Sequence, residues 1–227
     1  MKYQAVIFDL FGTLVENFPA SAGRVVMKNV ASLLSVPPED FNSLWVKTCG
    51  ERMRGITADY RESIMSICRR LGASPTAEKI ELAVTMRLEL TRREVMSCRE
   101  GAVETLSYLK QKGCKTGLVS NCSMETTGIW PETLLAPFID VAVFSCVEGT
   151  MKPDPRLFQT ALERLAVPPG NCIYVADGMS RELETASGLG MRAVLIEGHH
   201  ETEYERDRED WRGEKIASLK EIMSLLD

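Results

Sequence analysis

Ala5-Val6-Ile7-Phe8-Asp9-Leu10-Phe11-Gly12-Thr13-Leu14 is the stretch that decides how this chain folds. Four apolar residues in succession, closed by a glycine turn, predict a short buried strand. Asp9 then stands at the C-terminal end of that strand, the edge where open α/β sheets present their ligand groups. An aspartate in this place often does no more than start a turn, so Asp9 alone carries little. The pattern recurs, however. Thr116–Gly117–Leu118–Val119 runs into Ser120 and Asn121, Val141–Ala142–Val143–Phe144 leads through a loop to Lys152, and Cys172–Ile173–Tyr174–Val175–Ala176 ends on Asp177 and Gly178. If the strands are parallel, Asp9, Ser120, Lys152 and Asp177 emerge at one sheet edge. Two carboxylates, a hydroxyl and an ammonium suit a phosphoryl group and a hard cation.

The chain has 227 residues, 44% of them hydrophobic, enough for one large domain or a core with an insertion. Its net charge of −5 argues against a nucleic-acid or anionic-membrane surface. No apolar run is long enough for a membrane span, and the first strand begins almost at the N-terminus, so no secretory segment is expected. The seven cysteines (49, 68, 98, 114, 122, 146, 172) are scattered without a C-x-x-C pair, which supports neither a zinc site nor a disulfide framework. A reducing, cytoplasmic setting is the expectation. Cys122 lies two residues beyond Ser120 and reads as a bystander filling space. His199 and His200 fall in a charged stretch from Glu197 to Arg212 that reads as a solvated loop, with nothing to orient either imidazole.

Residues 1–15 and 99–227 alternate strand and helix, which predicts a parallel sheet with helices on both faces. Val103, Leu106 and Leu109 recur at helical spacing before Gly113. Asp154 and Pro155 open another helix as N-cap and first residue. A last helix, carrying Ile216, Leu219, Ile222, Leu225 and Leu226, is expected to close the core with Trp211. Residues 16–98 contain no convincing strand. Apolar stripes there predict four helices, around Val26–Val30–Leu33, Phe41–Trp45, Ile64–Cys68–Leu71 and Ile80–Val84–Leu88, the last opened by Ser74 and Pro75. Such helices pack as a small bundle, placed like a lid over the sheet edge. Gly50-Glu51-Arg52-Met53-Arg54-Gly55 reads as a turn between the second and third helices. Arg54 there, and Arg24 on the first helix, are candidates to reach an anionic substrate, whereas Arg52 reads as solvated.

Phe8-Asp9-Leu10-Phe11-Gly12-Thr13-Leu14, Val119-Ser120-Asn121, Lys152-Pro153-Asp154 and Ala176-Asp177-Gly178 with Glu182 resemble, in order and spacing, the four motifs of the haloacid dehalogenase superfamily. The resemblance spans nearly the whole chain. It implies a Rossmann-like core from residues 1–15 and 99–227 and a helical cap from residues 16–98. It implies a hydrolase, favouring a Mg²⁺-dependent phosphatase for a small phosphorylated metabolite. Asp9 would be the nucleophile forming an aspartyl-phosphate. Asp9, the main-chain carbonyl of Phe11, Asp177 and Glu182 would hold Mg²⁺, with Glu184 the weaker alternative to Glu182. Lys152 would balance the charge, and Thr13, Ser120 and Asn121 would contact the phosphoryl group. The chain departs from the pattern at Phe11, where related phosphatases carry a second aspartate that protonates the leaving group, and the expectation is a slow enzyme. Three alternatives stand beside this. One is a 2-haloacid dehalogenase-type hydrolase, recommended by an aromatic residue at position 11 but opposed by Asp177 and by Phe158 where a tyrosine is usual. Another is a non-catalytic phospholigand-binding or interaction protein. The third is phosphonate cleavage through a cap lysine, Lys28 or Lys47.

Overall fold

The computed structural model describes residues 2–17, 19–198 and 209–226. Six strands form one parallel sheet: β1 (Ala5–Phe8), β2 (Lys115–Ser120), β3 (Val141–Phe144), β4 (Cys172–Ala176), β5 (Arg192–Ile196) and β6 (Glu214–Ile216). Their spatial order is β3-β2-β1-β4-β5-β6. β1 is central because every residue of Ala5–Phe8 is fully buried, which only a strand covered on both faces permits. Its alternation divides two cores. Val6 and Phe8 face Leu106, Leu109, Leu118 and Ile222. Ala5 and Ile7 face Leu157, Phe158, Ala161 and Leu165 on the other side.

The covering helices are α6 (Ala102–Gln111), α9 (Pro155–Leu165) and α10 (Glu182–Gly188), with a 3₁₀ segment at Leu219–Leu225. α7 (Met124–Ile129) and α8 (Ser145–Glu148) are single turns beyond β2 and β3. Asp154 caps α9 as expected, accepting from the Arg156 N–H at 3.0 Å. Ile216 is not helical but ends β6, where its carbonyl accepts from Glu197 N–H at 2.8 Å. One apolar residue beside polar neighbours carries no period, so the sequence did not separate these states.

Residues 19–98 contain five helices: α1 (Ala20–Leu33), α2 (Pro38–Lys47), α3 (Cys49–Met53), α4 (Tyr60–Arg70) and α5 (Ala77–Met96). They enclose a core of their own around Val30, Phe41, Ile64, Ile67 and Ala83. The turn expected at 50–55 is largely α3. Thr48 ends α2 and begins α3 at φ −92°, ψ 7°, so the chain hardly leaves helical geometry between them. Arg52 is correspondingly buried, not solvated. Its guanidinium stacks 3.7 Å from the Trp45 ring centroid and donates to Trp45 O at 2.7 Å and Thr48 Oγ1 at 2.9 Å. α5 is capped by Thr76, not by Ser74 and Pro75. The connections into and out of this segment run side by side. Val15 and Cys98 form an antiparallel bridge, and Glu16 N–H donates to Ser97 O at 2.9 Å.

His199, His200 and the run from Glu201 to Arg208 lie outside the described residues. No described helix is long and apolar enough to cross a membrane.

Candidate active site

β1 sits where the strand order reverses, with β2 on one side and β4 on the other. At such a point the chain leaves the sheet in opposite directions and a crevice opens beyond the strand ends. Phe8 is in register with Leu118 of β2 and Val175 of β4, so Asp9, Ser120 and Asp177 leave three adjacent strands at one edge. Asp9 N–H donates to Val175 O at 3.0 Å, which holds the residue on the sheet.

Asp9 is buried, and Thr13 Oγ1 donates to its Oδ2 at 3.3 Å. Lys152 Nζ is buried between two carboxylates. It donates to Asp9 Oδ1, to Glu182 Oε2 at 2.5 Å and to Val119 O at 3.2 Å. Tyr174 OH, on β4, donates to the same Glu182 oxygen at 2.8 Å. Asp177 accepts from Met179 N–H at 3.1 Å and from Asn17 Nδ2 at 3.2 Å. One carboxylate oxygen from each of Asp9, Asp177 and Glu182 lies within 4.8 Å of the others, and all three residues are buried.

Burial pushes the Asp9 carboxyl above the usual range; Lys152 pulls it down and Asp177 raises it again. Burial lifts Glu182 further, with Lys152 opposing it and Asp9 and Asp177 reinforcing it. Burial opposes the Lys152 ammonium, but Asp9 and Glu182 outweigh it and hold its pKa above the ordinary value. Three buried acids share one ammonium, so their carboxylate forms together exceed the positive charge beside them. Two further atoms there have no partner: Glu182 Oε1 and Ser120 Oγ. All-oxygen donors, excess negative charge and an orphaned carboxylate oxygen fit a hard divalent cation.

The loop after β1 is pressed into this cluster. Gly12 has φ +76°, and a Cβ there would lie 2.2 Å from Asp177 Oδ2 and 2.4 Å from Asn17 Nδ2. Arg99 Nη1 supports the loop from behind, donating to Gly12 O at 2.6 Å. Gly12→Ala is expected to cost about 1–3 kcal/mol in urea unfolding, because the new Cβ would displace the Asp177 carboxylate. Gly23→Ala on α1, where a Cβ would meet nothing within 4 Å, is the control and should be neutral or stabilising.

Other expected residues fall differently. Asn121 has both ends of its amide on the Lys152 main chain, accepting from its N–H at 2.8 Å and donating to its O at 3.3 Å, so it clamps Lys152. Glu184 is exposed and paired with Arg181 at 2.8 Å, away from the buried cluster. Arg54 is exposed at the end of α3 and donates to Gly50 O at 3.3 Å. Arg24, Lys28 and Lys47 are also exposed, which leaves neither lysine desolvated as Schiff-base chemistry requires. Phe11 packs against the core instead of standing free in the crevice. Tyr174, Asn17, Arg99 and Glu209 carried no sequence signal. Glu209 accepts from the N–H groups of Leu183 and Glu184 at 2.7 and 2.9 Å and donates its own N–H to Gly178 O. It thus ties the first turn of α10, which carries Glu182, to the loop after Asp177.

The family model for haloacid dehalogenase-like hydrolases matches residues 3–190. The chain belongs to that family. Phosphatase MT3486 of Mycobacterium tuberculosis (strain CDC 1551 / Oshkosh) is 29% identical over 209 residues, covering 89% of this chain and 91% of the relative. Acyl-CoA dehydrogenase family member 10 of Mus musculus is 27% identical over 202 residues; the match covers 86% of this chain but only 18% of the mouse protein. A solved HAD phosphatase from Thermococcus onnurineus superposes with a TM-score of 0.67 at 22% identity, covering 98% of this chain and 97% of the other. The L-2-haloacid dehalogenase of Xanthobacter autotrophicus superposes with a TM-score of 0.64 at 16% identity, covering 99% and 98%. One haloacid dehalogenase-type fold therefore spans both chemistries, and the choice between them rests on the site.

Proposed function

We propose that this haloacid dehalogenase-like hydrolase is a Mg²⁺-dependent phosphoric monoester hydrolase for a small phosphorylated metabolite, with Asp9 as nucleophile. The observation that carries this reading is the buried convergence of Asp9, Asp177 and Glu182. A displacement at carbon would gain nothing from two further carboxylates beside the nucleophile, whereas a cation held among them makes phosphoryl transfer feasible. Asp9, Asp177 and Glu182, with the Phe11 carbonyl on the loop against Asp177, would hold Mg²⁺. When bound, the ion neutralises the repulsion between the carboxylates and an incoming phosphate. Resemblance to Phosphatase MT3486 agrees with this chemistry.

Asp9 attacks phosphorus and the ester oxygen departs, leaving an aspartyl-phosphate that water then cleaves. Thr13, donating to Oδ2, leaves the carboxylate oriented for attack. Lys152 offsets charge developing on the transferring group, and the unpartnered Ser120 Oγ donates to one of its oxygens. Phe11 moves no proton, so the leaving oxygen departs without an acid from that position. Helices α1–α5 act as the cap over this crevice and set substrate choice.

The missing acid makes a graded prediction. Aryl phosphates should turn over about 10²–10⁴-fold faster than alkyl phosphates of similar size, the range general acid catalysis ordinarily supplies. A panel of esters spanning leaving-group pKa, with rate plotted against pKa, checks this; a flat plot points to a proton donor elsewhere. The function itself is tested by aryl phosphate release with Mg²⁺ and with EDTA. Release that EDTA abolishes and Mg²⁺ restores supports the reading. Metal-independent chloride release from a 2-haloacid, with no phosphate release, would replace it by carbon–halogen hydrolysis.

A further inference from the structure

Behind the proposed phosphoryl site two thiols meet. Cys122 Sγ, in the loop beyond β2, lies 4.0 Å from Cys146 Sγ on α8. Both residues are buried. The hydroxyl of Ser145, the residue before Cys146, clamps the Cys122 main chain: Cys122 N–H donates to Ser145 Oγ at 3.0 Å, and Ser145 Oγ donates to Cys122 O at 3.3 Å. Two chain segments 24 residues apart in sequence thus hold two sulfurs in van der Waals contact.

We propose that Cys122 and Cys146 are a modification site, a dithiol that peroxides oxidise to a disulfide. The Cys146 sulfur attacks one peroxide oxygen. The O–O bond breaks, a sulfenic acid forms at Cys146, and the thiol proton leaves with the departing oxygen as water. Cys122 Sγ then attacks the Cys146 sulfur, an S–S bond replaces the S–O bond, and the Cys122 proton leaves with the hydroxyl as a second water. Two thiols lose two electrons and one peroxide gains them.

Cys146 suits the attacking role. The adjoining Cys122 thiol donates to it and depresses its pKa, which burial only partly opposes. Cys68, Cys98, Cys114 and Cys172 move the other way, burial holding Cys114 up at about 11 and Cys172 up at about 12. The contact itself selects this pair, and the contrast sets Cys146 apart from Cys68, Cys98, Cys114 and Cys172.

Closing the bond has a consequence for turnover that rests on the phosphatase reading. The sulfurs must approach from 4.0 Å to about 2.05 Å. The Cys122 backbone cannot follow without disturbing Asn121, whose amide clamps the Lys152 main chain. Cys146 O is also the atom a Cβ on Gly55 would strike, at 2.1 Å, so the same turn of α8 braces the start of the loop after α3. Oxidation is expected to slow turnover at least tenfold, since a displacement of ~1 Å in a positioned group costs about 10²-fold.

The test exposes the folded chain to stoichiometric hydrogen peroxide, quenches it and counts thiols after denaturation. The expected count falls from seven to five, with peptide mapping joining Cys122 to Cys146 and dithiothreitol restoring both. Cys122→Ser and, independently, Cys146→Ser should each form no such bond. An unchanged count of seven, or a disulfide joining other cysteines, overturns the proposal. The thiol count needs no activity, so a chain that forms the bond yet releases no phosphate even when fully reduced would overturn the phosphatase reading alone.

Discussion

Turnover of an aryl phosphate is expected to fall by about 10⁴-fold or more in Asp9→Asn, with the fold retained. An amide is nearly isosteric with the carboxylate. Its oxygen can still accept from Lys152 while its N–H₂ donates to the Thr13 hydroxyl, now 3.3 Å from Asp9 Oδ2, and Lys152 keeps Glu182 as a charged partner at 2.5 Å. Burial disfavours the Asp9 anion, so loss of the charge carries no large penalty in stability. The proposed nucleophile is lost all the same, because an amide does not form the acyl phosphate. Steady-state release together with a urea melt checks both halves. A folded Asp9→Asn protein within tenfold of wild type would remove Asp9 from the reaction.

Lys152→Met should be damaging in a different way. One ammonium lies buried between Asp9 and Glu182, with Asp177 close by. Removing the cation from a buried ionic cluster leaves uncompensated carboxylates and typically costs about 3–5 kcal/mol. The expected result is a large drop in urea midpoint, partly recovered by millimolar Mg²⁺, which would bind the folded state alone. The pH dependence has a definite sign. Lys152 lowers the pKa that burial and Asp177 raise on Asp9. Without it Asp9 ionises at higher pH, and the acid limb of the pH–rate profile moves upward. An unchanged urea midpoint would mean that the carboxylates are not ionised together in the native state.

The sheet and its edge were legible because they depend on local patterns. An apolar run ending on a polar residue marks a buried strand and its ligand-facing end whatever the rest of the chain does. Asp9, Ser120 and Asp177 were found in this way, and Lys152 through the loop that follows β3. Residues whose roles depend on distant partners were not legible. Asn121 belongs to the same motif as Ser120, yet its amide is occupied by the Lys152 main chain, 31 residues away. Arg52 read as solvated because nothing in Gly50–Gly55 shows that Trp45 will lie beneath it. Glu209 looked like one charge among many, although its carboxylate holds the first N–H groups of α10. Cys122 read as filler because its partner lies 24 residues on, beyond α7 and β3.

The bridge between Val15 and Cys98 bears on how the chain finds this fold. Ala5 must pair with Lys115 before β1 has a neighbour on that side, a closure of about 110 residues in an unstructured chain. Once α1–α5 have condensed on their own core and the bridge has formed, the path from Ala5 to Lys115 shortens to about 27 residues. The entropy of closure then falls by about 1 kcal/mol. The helices inserted in the middle of the sheet's sequence thus become a shortcut to the sheet's assembly, and the strand that leads to Asp9 is joined to its neighbour by residues that contribute nothing to the sheet itself.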